Sequence, residues 1–85
     1  MADYKVLIKK SAAKELEAVP RKDREKLITK IRNLANNPRP PGSEKLAGDD
    51  KYRIRQGVYR VLYEVDDTTV MVTVVRIAHR REVYR

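Results

Sequence analysis

The stretch that most limits the fold is "KYRIRQGVYRVLYEVDDTTVMVTVVRIA", Lys51 to Ala78. Three runs rich in β-branched and aromatic residues are separated by brief polar connections, at Gln56-Gly57 and at Asp66–Thr68. Successive side chains of a strand point to opposite faces, and connections this short leave neighbouring strands antiparallel. In the first run Lys51, Arg53 and Arg55 share one face, and Tyr52 and Ile54 share the other. In the second, Tyr59, Val61, Tyr63 and Val65 form an unbroken apolar face, with Arg60, Leu62 and Glu64 behind it. In the third, Val70, Val72 and Val74 are expected on one side and Met71, Val75 and Ile77 on the other. A strand apolar on both faces belongs inside a sheet, where both faces are covered.

The first half of the chain provides cover for one face. "DYKVLIK", Asp3 to Lys9, has the content of a short strand. Ser11 can N-cap a helix from Ala12 that places Leu16 and Val19 together. Pro20 breaks that helix and can open the next one near its first turn. Leu27, Ile28, Ile31, Leu34 and Ala35 then follow a helical stripe until Asn36, Asn37 and Pro38 stop it. Two helices, about 11–19 and 21–36, are therefore expected as a hairpin. Residues 36–50 form a Pro/Gly-rich loop with Leu46 as its anchor on the core. With no repeat and no dividing linker, residues 1–85 are expected to be one α+β domain. Its order is β-α-α-β-β-β: an N-terminal strand, a two-helix hairpin, then antiparallel strands, with the helices on one face. The other face is left with Arg53, Arg55 and Arg60. The C-terminal "AHRREVYR", with Val83 and Tyr84 to pack, is placed to close it.

Charge narrows the partners. Twenty Lys and Arg stand against 12 Asp and Glu, a net charge of +8 on 85 residues. A field of that sign favours an anionic partner. After residue 50 every basic residue but Lys51 and His79 is an arginine, whose planar fork fits phosphate. The absence of cysteine excludes disulfides and a thiolate zinc site, and a single histidine excludes a multi-histidine metal site. No metal or cofactor is expected. The N-terminus lacks an apolar core of signal-peptide length, and the apolar run near "VMVTVV" is too short to span a bilayer. A soluble, cytoplasmic protein is expected.

No Gly-rich phosphate loop and no Ser-His-Asp set is present. Arginine, tyrosine and one histidine remain, and such residues can bind a phosphodiester or cut RNA. RNA carries its own nucleophile, the 2′-OH. The protein need only help remove that proton, stabilise the phosphorane and protonate the leaving 5′ oxygen. Arginine suits the middle task because it stays charged and donates in pairs, but its pKa above about 12 unfits it for the proton tasks. Tyr84 or His79 would carry those, and surrounding arginines would lower a tyrosine pKa. Each residue also has a plainer reading. Arg53 and Arg55 would then face solvent, Arg60 would pair with Glu64 or Glu82, and His79 and Tyr84 would be structural. Composition and strand parity reach a small basic α+β domain that binds nucleic acid.

The motifs "KLAG", "YRIRQGVYRVLYEV" and "VVRIAHRREVYR", in this order and at this spacing, resemble the RelE family of bacterial and archaeal toxins. The likeness spans the whole chain. It implies a toxin of a type II toxin–antitoxin system, a ribosome-dependent endoribonuclease that cleaves mRNA in the A site and is silenced by a RelB-like antitoxin. It also implies that DNA is contacted only through the antitoxin. By matching position, it assigns Arg53, Arg55, Arg60, Arg80 and Tyr84 to the scissile phosphate or to proton transfer, with His79 in reserve. Lys51, Arg81, Lys26 and Lys30 are expected to bind RNA or the ribosome. The best-studied relatives carry lysines where this chain has Arg53 and Arg55, and the tail is shorter between Arg80 and Tyr84, so the general base is left open. Two other readings share the fold: a ParE-like inhibitor of DNA gyrase, acting by binding, and a non-catalytic module that binds RNA or antitoxin.

Overall fold

A computed structural model describes residues 3–46 and 50–79. The elements are β1 (Lys5–Ile8), α1 (Lys10–Glu17), α2 (Arg21–Asn33), β2 (Glu44–Lys45), β3 (Lys51–Gln56), β4 (Tyr59–Asp66) and β5 (Met71–His79). They form one five-stranded sheet in the order β1-β5-β4-β3-β2. β2 to β5 are antiparallel neighbours, as the short connections require. β1 lies parallel to β5, so the sheet is mixed. β2 is a two-residue addition within what reads in sequence as a loop.

Both helices cover one face, α1 over β5 and α2 over β3. Leu16, Leu27, Ile31 and Leu34 from the helical side are buried against Tyr52, Ile54, Val61, Tyr63, Val65, Val72 and Val74. The helical stripe read from the sequence is therefore the core stripe. The helix ends differ in detail. Lys9, not Ser11, is the N-cap of α1, no side chain caps it, and Ser11 falls inside the first turn. Pro20 is the N-cap of α2 rather than its first helical residue. α2 tightens after Asn33: Leu34, Ala35 and Asn36 each donate to the carbonyl three residues back, at 3.1 Å. That tighter winding satisfies carbonyls a helix end would otherwise leave open, and it keeps Leu34 on the buried stripe.

β5 departs from simple alternation. Tyr63 pairs with Val74 but its neighbour Leu62 pairs with Arg76, so Val75 is an extra residue, a β-bulge. The bulge returns Ile77 to the face of Val72 and Val74, where it is 3% exposed, instead of the face of Met71 expected from parity. It falls just beyond the end of β1, where β5 loses its neighbour. There the Glu15 carboxylate of α1 accepts the Ile77 backbone N–H at 2.8 Å and closes the open edge. β5 is an interior strand between β1 and β4, as its apolar content requires. Val70 is not part of it. Val70 closes the β4–β5 turn with φ of 57°, a region that costs a β-branched residue strain. The β3–β4 turn puts its positive φ, 60°, at Gly57, where no Cβ opposes it.

The loop after α2 is anchored by different residues than expected. Leu46 is only half-buried and stands outside the core, because Leu46 extends the β2–β3 pairing through its N–H to the Lys51 carbonyl. Pro38 is the buried anchor: its carbonyl accepts the hydroxyl of fully buried Tyr63 at 2.8 Å. Tyr63 stacks on Tyr52 at 5.8 Å, and burial pushes its phenol up to about 12. Arg39 lies over the Tyr52 ring, donates to its hydroxyl at 2.9 Å, and forks onto Asp67 at 2.8 and 3.2 Å. Tyr4 donates to the same carboxylate at 2.6 Å. Asp67 thus joins the N-terminus, the loop and the β4–β5 turn.

Hydrogen bonds from Arg39 first, then from Tyr4, hold the Asp67 carboxyl below its ordinary range. A carboxyl depressed on folding stabilises the protein above its unfolded pKa, and that contribution is lost as pH falls through the folded value. Asp67→Asn is therefore expected to lower the melting temperature at neutral pH and to flatten its fall between about pH 4 and about pH 2. Melting curves across that range check this. Parallel curves for the two proteins would show that the ion pair contributes nothing.

Candidate functional site

The β3–β4 hairpin builds the site. Register pairs Arg55 with Arg60 and Arg53 with Leu62, so the three arginines lie on the sheet face away from the helices. This is the grouping expected from strand parity. The arginines differ in depth. Arg60 is 4% exposed, while the side chains of Arg53 and Arg55 are 20% and 52% exposed. The apolar partners on the opposite face of the same strands, Tyr52, Ile54 and Val61, are locked in the core and fix the backbone under the cluster.

Like charges directly opposite each other on a sheet are destabilising, and Arg55 faces Arg60. Glu44 offsets this. It sits opposite Arg53 in the β2–β3 register. Arg53 donates to its Oε1 through Nη2 at 2.8 Å and Nε at 3.2 Å, and Arg55 Nη2 lies 3.4 Å from the same oxygen. Arg53's hydrogen bonds, then the charges of Arg53 and Arg55, and more distantly that of Arg60, hold this carboxyl below its usual range. Glu44 is a residue that sequence reasoning missed. It lies in a segment read as loop, and only pairing with β3 brings it to the cluster.

The structure does not gather all the expected residues. His79 ends β5 as the register partner of Tyr59, on the face that carries Val61, with the two rings edge-on at 5.6 Å. It is thus on the other face of the sheet from Arg53, Arg55 and Arg60. Lys51 shares the arginine face, opposite Glu64. Lys26 and Lys30 are exposed on α2, on the helical side, where they rim an open cavity of about 380 Å³ with Asn33, Pro40, Ile54 and Gln56. Arg80, Arg81, Val83 and Tyr84 lie outside the described residues, as does the expected closure of the arginine face by the tail. Among the described residues no group of three or more His, Cys, Asp or Glu is placed to hold a metal, and no helix is long and apolar enough to cross a membrane. What Arg53, Arg55 and Arg60 can do chemically is hold an anion and stabilise charge. They cannot relay a proton.

Comparison with known proteins places this arrangement. Residues 3–84 match the family described as ParE toxin of type II toxin–antitoxin system, parDE, and the chain belongs to this family, within the RelE/ParE superfamily. It is similar to Toxin RelG of Mycobacterium tuberculosis (strain ATCC 25618 / H37Rv), with 40% identity over 45 residues, 53% of this chain and 49% of RelG. The chain thus spans about half the length of that curated relative. The fold is similar to that in the archaeal RelE–RelB complex from Pyrococcus horikoshii OT3, with a TM-score of 0.83 and 30% identity over 92% of this chain and 96% of that one. It is also similar to the isolated E. coli RelE toxin, with a TM-score of 0.80 and 29% identity over 95% of this chain and 90% of that one.

Proposed function

We propose that this chain is a ribosome-dependent endoribonuclease toxin that cuts mRNA in the A site and is restrained by a RelB-like antitoxin. The observation that carries this reading is the convergence of Arg53, Arg55 and Arg60 on one sheet face, away from the helices. An RNA phosphodiester is the anion such a face fits, and the similarity to RelE proteins supports the choice. In this reading the 2′-OH of the preceding nucleotide attacks the phosphate, and the bond to the 5′ oxygen breaks. Arg60, backed by core strands and nearly buried, is the fixed donor that stabilises charge growing on the phosphate oxygens. Arg53 and Arg55, nearer the surface, bind adjacent backbone. Arg80 completes the grip on the phosphate and Tyr84 moves the proton or orients the base. His79, edge-on to Tyr59, is the less favoured proton carrier. Lys26, Lys30, Lys51 and Arg81 bind ribosomal RNA through phosphates, which makes docking salt-dependent. Catalysis uses no metal or cofactor, because RNA brings its own nucleophile and arginine the charge. The site of action is cytoplasmic, where ribosomes are.

A second reading keeps a specific observation in its favour, since the matching family is described by the name ParE. In that reading the chain inhibits gyrase by binding, and the arginine face is a docking surface. Primer extension on translated mRNAs after induction separates the two. New ends within codons, absent when translation is blocked, are expected. Intact mRNA together with gyrase-dependent DNA breaks would favour the ParE-like reading, and neither outcome would leave a non-catalytic module that binds RNA or antitoxin.

A further inference from the structure

Glu44 occupies a position that the reading above has not used. Its carboxylate is gripped by Arg53 Nη2 and Nε, and by Arg55 Nη2, all within 3.4 Å of one oxygen. Two guanidinium groups converging on one oxygen is the coordination a phosphate oxygen receives. We propose that Glu44 is a built-in anion that holds the seat of an RNA phosphate between Arg53 and Arg55, and that RNA must displace it to bind there. The inference rests on the nuclease reading and deepens it by naming what keeps the arginine face in order before substrate arrives.

The geometry makes displacement feasible. Glu44 is held to β3 through its backbone, opposite Arg53, on a strand of only two residues. Its side chain is 49% exposed, so rotation about its own bonds releases the arginines without unpairing β2. An ion pair this accessible to water is weak, and a phosphate oxygen can replace it at modest cost. The carboxylate also has a purpose when no RNA is present. Arg55 faces Arg60 across the register with Arg53 on the same face, and Glu44 sets a negative charge beside Arg53 and Arg55. The hold on Glu44 is felt by its carboxyl, which hydrogen bonds from Arg53, then the charges of Arg53 and Arg55, keep below its usual range. Glu44 is therefore a positioning residue in the free protein and a competitor during binding.

The two roles give opposite signs, which makes the idea testable. The probe is a short single-stranded 2′-O-methyl RNA, which cannot be cut because its nucleophile is blocked. Binding is followed by NMR at the Arg53 Nε–H. Glu44→Gln keeps the shape and removes the charge, and it is expected to tighten binding by about two- to fivefold, the scale of an exposed ion pair. Glu25→Gln changes net charge equally, at an exposed pair with Arg21 on α2, and is expected to leave the midpoint unchanged. Binding by Glu44→Gln that is equal to or weaker than wild type overturns the proposal. So does a shift of Arg53 by an acidic peptide but not by RNA, or no response to RNA in any of the three proteins. Tighter binding by Glu44→Gln with no cleavage on ribosomes would instead support the seat and count against the nuclease reading alone.

Discussion

Replacing Arg60 with alanine is expected to slow single-turnover cleavage of ribosome-bound mRNA by about 100- to 1000-fold, the usual cost of losing one preorganised donor to a developing oxyanion. The expectation comes from depth. Arg60 is 4% exposed, on a strand whose other face is packed into the core, so its backbone is fixed and its side chain has little room to move. Arg53 and Arg55, shared with Glu44 and more open to water, should each cost less. Ribosome binding should fall far less than the rate, because the proposed docking is spread over several other basic residues, Lys26, Lys30 and Lys51 among them. Arg60→Lys separates charge from geometry: it keeps the charge and loses the fork, and an intermediate rate is expected. Melting curves for both variants distinguish a catalytic loss from an unfolded protein. A folded Arg60→Ala that cleaves at nearly the wild-type rate would remove Arg60 from the chemistry.

The second large effect is on stability. Tyr63→Ala is expected to cost about 3–5 kcal/mol, as for other large aromatic truncations in packed cores. Tyr63 is fully buried at the centre of β4, stacked on Tyr52, and its hydroxyl satisfies the Pro38 carbonyl. Small domains carry roughly 5–15 kcal/mol in all, so this variant should be close to unfolding at ordinary temperature. Tyr63→Phe keeps the ring and leaves the Pro38 carbonyl without its donor, at a cost of about 1–3 kcal/mol. Denaturant unfolding of the two variants checks the order. Similar losses would mean that the hydrogen bond matters more than the packing.

The parts of the fold that sequence made legible are those governed by local periodicity. The face of Tyr59, Val61, Tyr63 and Val65 needed only alternation, and so did the grouping of Arg53, Arg55 and Arg60. The stripe of Leu27, Ile31 and Leu34 needed only helical spacing. What escaped depends on distant partners. The bulge at Val75 arises where β1 ends and Glu15 takes over the strand edge, so parity misplaced Ile77. The parallel placement of β1 beside β5 has no local signature. Leu46 looked like the loop's anchor because it is apolar, yet Pro38 fills that role through the Tyr63 hydroxyl, a contact 25 residues away in sequence. Glu44 was invisible for the same reason: only β2–β3 pairing gives it Arg53. His79 stood beside arginines in the sequence, but strand register sends it to the face of Tyr59. Arg80 owes its assigned role to resemblance, whereas Tyr84 was also reached from the sequence as one of the few residues able to carry a proton.

The most direct test is reconstituted cleavage. Purified protein is added to ribosomes carrying a 5′-labelled mRNA with a defined codon in an empty A site, and the products are mapped at nucleotide resolution. The expected result is a single cut within that codon, leaving a 2′,3′-cyclic phosphate, with no cut in the same mRNA free of ribosomes. An mRNA that stays intact on ribosomes at saturating protein, with the protein folded, would contradict the account.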